Sequence, residues 1–218
     1  MRPLTDKTPK PLLPIAGKPL LQYHLERLVA AGISECVINH AHLGQQIVDY
    51  FGDGAQFGLR IRYSPEARAL ETGGGIYQAL AHFGDEPFLV INGDVWSDFP
   101  LTPLLDTPVE LAHLVLVANP AFNTDGDFAL EENHRVAIKN ASNQQTTYTF
   151  SGISVLSPEL FKTCEPGAFP LAPLLRDAMR IDAVTGEVYS GAWFDVGTPE
   201  RMADLESYLL GGAREARS

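Results

Sequence analysis

The strongest constraint on this chain is the alternation, through its first half, of short apolar runs with amphipathic segments of helix length. Cys36-Val37-Ile38 and Phe88-Leu89-Val90-Ile91 are apolar throughout and too short for buried helices, so they read as strands covered on both faces. Ahead of the first, Leu20, Tyr23, His24, Arg27 and Leu28 share one helical face until Gly32 stops it. Beyond it, Leu43, Ile47, Val48 and Phe51 do the same until Gly52 and Gly54, and residues 59–63 alternate as a second strand. Strands and helices in that order predict an α/β fold with a mostly parallel sheet.

The second half is richer in strands. Residues 114–118 are apolar, 128–130 and 136–138 flank a turn at Asn133-His134 as a hairpin, and 148–155 form a strand broken by Gly152. Helices are expected over 75–83, 158–162, 170–180 and 199–210, the last with Thr198 as N-cap and Pro199 in its first turn. Without a repeat, a low-complexity tract or a linker, residues 1–218 read as one domain: a first part over 1–110, a strand-rich part over 111–200 and a C-terminal helix over 199–210.

Composition narrows the function. With 45% hydrophobic and 20% charged residues the chain is neither disordered nor fibrous. Its apolar stretches break within about ten residues, short of a membrane span. Met1 is not followed by a basic and then apolar leader, so no membrane partner and a cytoplasmic location are expected. Cys36 and Cys164 lie too far apart for a metal-ligand pair and are too few for a disulfide framework, which predicts free thiols. A net charge of −11 argues against nucleic-acid binding. The charge is uneven: over residues 1–30 five cations face Asp6 and Glu26, a net of +3, leaving −14 on the rest. A small cationic opening on an acidic chain suits a compact polyanion such as a triphosphate.

That opening holds Pro3, Pro9, Pro11, Pro14 and Pro19, which exclude a helix or an interior strand and predict a stiff, extended loop. Lys10, between two prolines, can aim its ammonium at phosphate oxygens at little entropic cost. Ser64-Pro65-Glu66 leads to Leu70-Glu71-Thr72-Gly73-Gly74-Gly75, where glycines allow backbone to approach a ligand closely. His24, His40 and His42 accompany no Ser or Cys nucleophile motif and read as structural or surface residues.

The run RPLTDKTPKPLLPIAGKPL resembles the opening of the sugar-1-phosphate nucleotidyltransferases, the NDP-sugar pyrophosphorylases. Asn92-Gly93-Asp94 at a strand end resembles that family's metal-binding aspartate site. Trp193-Phe194-Asp195-Val196-Gly197-Thr198 resembles its late Trp-x-Asp-x-Gly-Thr motif, and Phe150-Ser151-Gly152-Ile153 its glycine-bearing sugar strand. The resemblance runs from residue 2 to about 200. It implies a Rossmann-like nucleotide-binding sheet with an added sugar-binding portion, residues 1–110 carrying the nucleotide and 111–200 the sugar phosphate.

The implied reaction is attack by a sugar-phosphate oxygen on the α-phosphorus of a nucleoside triphosphate, pyrophosphate leaving. Arg2 and Lys10 would hold phosphates as catalytic cations, and Asp94 and Asp195 would bind Mg²⁺, a hard cation that prefers oxygen ligands. Glu66, Glu71, Thr72 and Gly73 would contact the nucleotide, and Asn92, Asn119, Asp127 and Gly152 the sugar. The glutamates depart from the Gln and Gly-Thr usual in the family's base-reading loop. Together with Val37-Ile38-Asn39-His40 and Val95-Trp96, they resemble the bacterial members that join UTP to N-acetylmuramate 1-phosphate in cell-wall recycling. Mannose-1-phosphate guanylyltransferases are the near alternative, and an inactive or regulatory nucleotide-sugar-binding domain is one of another class. A monomer or small homo-oligomer is expected. The family carries a strand and a glycine-rich phosphate-cradling turn before Arg-Pro-Leu-Thr, about fifteen residues that the chain as written lacks. Their absence, through a mis-set start or a truncation, predicts weak nucleotide binding and slow turnover.

Overall fold

In the computed structural model, residues 1, 3–139 and 145–215 are described. The proline-rich opening folds into two single 3₁₀ turns, Leu4–Asp6 and Lys10–Leu12. A miniature hairpin of β1 (Pro14–Ile15) and β2 (Lys18–Pro19) follows. Ala16 and Gly17 turn it, both at positive φ (48° and 90°), as a tight hairpin requires. Lys10 therefore starts a turn and does not sit on extended chain. The fixed φ of proline serves both conformations, and Pro9 has φ −64°.

Next come α1 (Leu20–Ala30), β3 (Glu35–His40), α2 (Gly44–Phe51) and β4 (Arg60–Pro65). Strands β3 and β4 pair in parallel from Glu35↔Arg60 to His40↔Pro65, with α2 as the crossover between them. The chain continues through α3 (Glu71–Ala79), β5 (Phe88–Ile91), β6 (Val95–Ser97), α4 (Thr102–Leu105), β7 (Ala112–Val117), β8 (Phe128–Leu130) and β9 (Val136–Ile138). It ends with β10 (Thr147–Leu156), α5 (Leu171–Met179), β11 (Val184–Tyr189), β12 (Trp193–Asp195) and α6 (Pro199–Glu215).

Two compact units result. Unit 1 comprises residues 1–67, 93–101 and 192–218, and unit 2 comprises 68–92 and 102–191. In unit 1, Leu25, Ile47, Phe51 and Ile61 fill the space between α1, α2 and the β3–β4 pair. A second cluster, Ile15, Leu20, Trp96, Val196 and Leu205, joins α6 to the β6–β12 pair. Unit 2 is built on a six-stranded sheet in the order β11-β7-β10-β8-β9, with β5 on the other edge of β10. Leu114, Leu116, Leu156, Phe161, Leu175 and Met179 pack against it.

The sheet is mixed. Only β3–β4 and β7–β11 run parallel among the described residues, and every other pair is antiparallel. The long β10 is the reason, since it lies antiparallel to β5, β7 and β8 at once. Its register shifts between Phe150 and Ser154, where Gly152 takes φ +80°. Helix α3 begins at Glu71 and so contains Gly73, Gly74 and Gly75, all buried, where the sequence points to a start at residue 75. A Cβ on Gly73 would come within 2.6 Å of the Phe169 ring, and one on Gly74 would strike the Gly167 carbonyl. These glycines let the helix approach its own protein, and that packing overrides their poor helix propensity. Among the described residues no helix is long and apolar enough to cross a membrane.

Candidate active site

The residues leading into β6 from Gly93 and the end of β12 set the site in unit 1. Strand β12 pairs antiparallel with β6 through Asp195↔Val95, and the Val196 N–H donates to the Asp94 carbonyl at 2.8 Å. Asp94 and Asp195 are thereby held on neighbouring strand ends, although they are far apart in sequence. Lys10 reaches the same place from its 3₁₀ turn, with Nζ 2.9 Å from Asp94 Oδ2. Asp195 Oδ2 lies 3.3 Å from Arg201 Nη1. Arg201 stands in the first turn of α6, where its N–H donates to Thr198 Oγ1, the N-cap read from the sequence. Gly197 keeps the space between them open, since a Cβ there would strike the Arg201 guanidinium and lie 2.9 Å from Asp195 Oδ1.

Two carboxylates on a shared backbone frame, each facing a cation, suit a hard divalent ion that shares its remaining positions with phosphate oxygens and water. Among the described residues no three His, Cys, Asp or Glu side chains gather as a metal cluster, so the chain offers a pair and not a closed cage. Behind the site lies His24 of α1, buried, its pKa lowered to about 4. Burial is the main cause and Arg27 adds to it, while Asp94 and the Val95 backbone oppose it. The Val95 backbone favours the protonated ring without meeting hydrogen-bond geometry. The imidazole is neutral at pH 7 and serves as packing, as the sequence suggests for the histidines. Arg2 lies outside the described residues.

Glu66, at the end of β4, belongs to unit 1, where its N–H donates to the His40 carbonyl and Asn39 Nδ2 stands 3.5 Å from its Oε1. Glu71, Thr72 and Gly73 open α3 in unit 2, and Glu71 is exposed with φ +60°, a strained conformation for a non-glycine residue.

Unit 2 has a pocket of about 270 Å³ lined by Thr72, Asn92, Asp127, Phe150, Leu171 and Arg176, among others. Its volume suits one sugar ring more than a dinucleotide. Asn92 is seated by Gly152: the Asn92 N–H donates to the Gly152 carbonyl at 2.8 Å, and a Cβ on Gly152 would lie 2.9 Å from the Asn92 amide. Asp127 is fixed by Asn123 Nδ2 at 3.1 Å and by the Phe150 N–H at 2.8 Å. Asn119 is used internally. Its Nδ2 donates to the Thr124 and Thr147 carbonyls, its Oδ1 accepts from Thr149, and Gly126 packs against it. It shapes the loop that carries Asp127.

Lys10 thus meets Asp94 in unit 1, with Asp195 on the neighbouring strand, and Thr72, Asn92 and Asp127 line one pocket in unit 2. Arg201 and Arg176 escape a sequence reading. The first could have been found from its spacing after the N-cap Thr198, whereas the second is one more charge on a helix.

Residues 1–210 match the nucleotidyl transferase family. An N-acetylmuramate alpha-1-phosphate uridylyltransferase of Neisseria meningitidis serogroup B is 49% identical over 98% of this chain and 94% of its own length. A mannose-1-phosphate guanylyltransferase of Mycobacterium tuberculosis is 34% identical over 97% of this chain and 62% of its own. Among solved structures, a UDP-glucose pyrophosphorylase complexed with UDP-glucose superposes with a TM-score of 0.79 at 20% identity, covering 97% of this chain and 94% of the other. At that identity the likeness is one of fold.

Proposed function

The chain belongs to the nucleotidyl transferase family, and on that premise we propose that it is a sugar-1-phosphate uridylyltransferase joining UTP to N-acetylmuramate 1-phosphate. The reaction fits a cytoplasmic step of cell-wall sugar recycling, and Cys36 and Cys164, both free, are in keeping with a reducing compartment. The geometry that carries the reading is the meeting of Lys10 with Asp94 beside Asp195. Two polyanions must be brought together, and cations and carboxylates gathered at one strand end serve that need.

A phosphate oxygen of the sugar 1-phosphate attacks the α-phosphorus of UTP, the bond from that phosphorus to the β-phosphate oxygen breaks, and pyrophosphate leaves. Lys10 turns its ammonium from Asp94 to the phosphates, aided by Arg2, and stabilises charge on the transferring group. Asp94 and Asp195 hold Mg²⁺, with Arg201 and the Val196 N–H fixing their positions. When bound, that ion neutralises phosphate charge. Glu66, Glu71, Thr72 and Gly73 contact the nucleotide. Asn92 and Asp127 contact the sugar, Gly152 holding Asn92 in place and Asn119 shaping the loop.

The 34% identity to a mannose-1-phosphate guanylyltransferase gives the second reading, GTP with mannose 1-phosphate. A panel of four nucleotides against several sugar 1-phosphates, followed by pyrophosphate release, tests both. UTP with N-acetylmuramate 1-phosphate is expected to be fastest. Preference for GTP with mannose 1-phosphate overturns the uridylyl reading, and release from no pair supports a non-catalytic binding domain.

A further inference from the structure

Among the described residues, the pocket that gathers Thr72, Asn92 and Asp127 has one cation in its wall, Arg176. Leu171, Ala172, Leu175 and Arg176 of α5 line it together, spaced by about one helical turn, so the helix presents an apolar strip that ends in a guanidinium. Among the described residues no carboxylate pairs with Arg176, whereas its neighbours Asp177 and Arg180 pair with each other. The carboxylate that the pocket does contain, Asp127, is occupied by Asn123 and the Phe150 N–H. In a chain of net charge −11, a guanidinium with no carboxylate partner among the described residues, standing at the edge of a cavity, suits an anionic group.

The pocket also says which anion. An apolar strip running up to a fork of N–H donors matches a group with a methyl at one end and a carboxylate at the other. The 3-O-lactyl ether of an N-acetylmuramate has that build, and N-acetylglucosamine, otherwise the same sugar, lacks it. A phosphate would ask for several cations, and the wall has one. We propose that Arg176 is a specificity-determining residue that binds the sugar's lactyl carboxylate, with the lactyl methyl against Leu171 and Leu175. The proposal rests on the uridylyl reading above and adds to it the group by which the sugar is chosen.

The test compares wild type, Arg176→Gln and Arg176→Lys with UTP and either N-acetylmuramate 1-phosphate or N-acetylglucosamine 1-phosphate, together with calorimetric binding of each sugar phosphate. Arg176 is exposed at the pocket mouth, so thermal melting is expected to show folded variants. In wild type kcat/KM favours the lactyl sugar. Arg176→Gln lowers that preference by roughly tenfold or more, the size of a charge-assisted pair, with a matching loss of binding. Arg176→Lys keeps part of it, because a point charge replaces a fork. Equal losses on both sugars would make Arg176 a phosphate contact, and an unchanged ratio would remove it from the site. Either result overturns the inference and leaves the uridylyl reading standing. A wild type that does not use the lactyl sugar overturns both.

Discussion

Lys10 Nζ stands 2.9 Å from Asp94 Oδ2, closing an ion pair across 84 residues. The pair is solvated, with 23% of the lysine and 50% of the aspartate side chain exposed. Such pairs contribute about 1 kcal/mol or less to folding, so the role proposed for Lys10 is chemical and not structural. Lys10→Ala is expected to leave the melting temperature nearly unchanged while turnover falls by about 10²–10³, the loss typical of one preorganised donor to the transition state. A large fall in melting temperature with turnover preserved would show that the pair is structural.

Asp94 and Asp195 are predicted to act as one unit toward Mg²⁺. Asp94→Asn and Asp195→Asn each remove most turnover and weaken magnesium-dependent UTP binding, while circular dichroism stays that of the wild type. Because both residues serve one ion, the double variant loses little beyond either single one. Full activity in Asp195→Asn would take that residue out of the site.

The elements that position these residues were legible to different degrees. Strands β3 and β5 and helices α1 and α2 follow from local apolar patterns, and Gly32 ends its helix at φ +83°, as its place in the sequence suggests. Strand direction was not legible, because the apolar period of a strand is the same whichever way its partner runs. Nor was the start of α3, where Phe169 and Gly167, brought in from far along the chain, make three glycines acceptable in a helix. That Asp94 and Asp195 sit on neighbouring strand ends was visible only through resemblance to a family. The register Asp195↔Val95 that produces it is a tertiary fact with no local signature. Asn119, which the family resemblance places near the sugar, carries no local mark of the hydrogen bonds it also makes to its own loop.

Gly152 offers a test of how the proposed sugar pocket is set. With φ +80° and a Cβ that would press on the Asn92 amide, Gly152→Ala is expected to cost about 1–2 kcal/mol of stability for the left-handed conformation. It is also expected to raise KM for the sugar phosphate more than for the nucleotide, since Asn92 is displaced within the pocket. A variant with altered nucleotide KM alone would contradict the seating of Asn92 by this glycine.

His24 predicts a pH dependence. Its folded pKa of about 4 lies below the ordinary 6.5, so on acidification the unfolded chain takes up the proton first. Its contribution is fully present above about pH 6.5 and is lost as pH falls toward 4, amounting to about 3 kcal/mol. Melting curves between those limits are expected to flatten in His24→Leu relative to wild type, whatever the change in absolute stability. An identical slope in the two proteins would assign the acid sensitivity to other groups.

In the proposed reaction an oxygen of the sugar 1-phosphate attacks the α-phosphorus of UTP. This step is tested most directly by placing ¹⁸O in the phosphate of N-acetylmuramate 1-phosphate and weighing the products after incubation with UTP, Mg²⁺ and the protein. Direct transfer puts all of the label in the UDP-sugar and none in the pyrophosphate, the two forming in equal amounts. Label in the pyrophosphate, or UMP in place of a UDP-sugar, would contradict it.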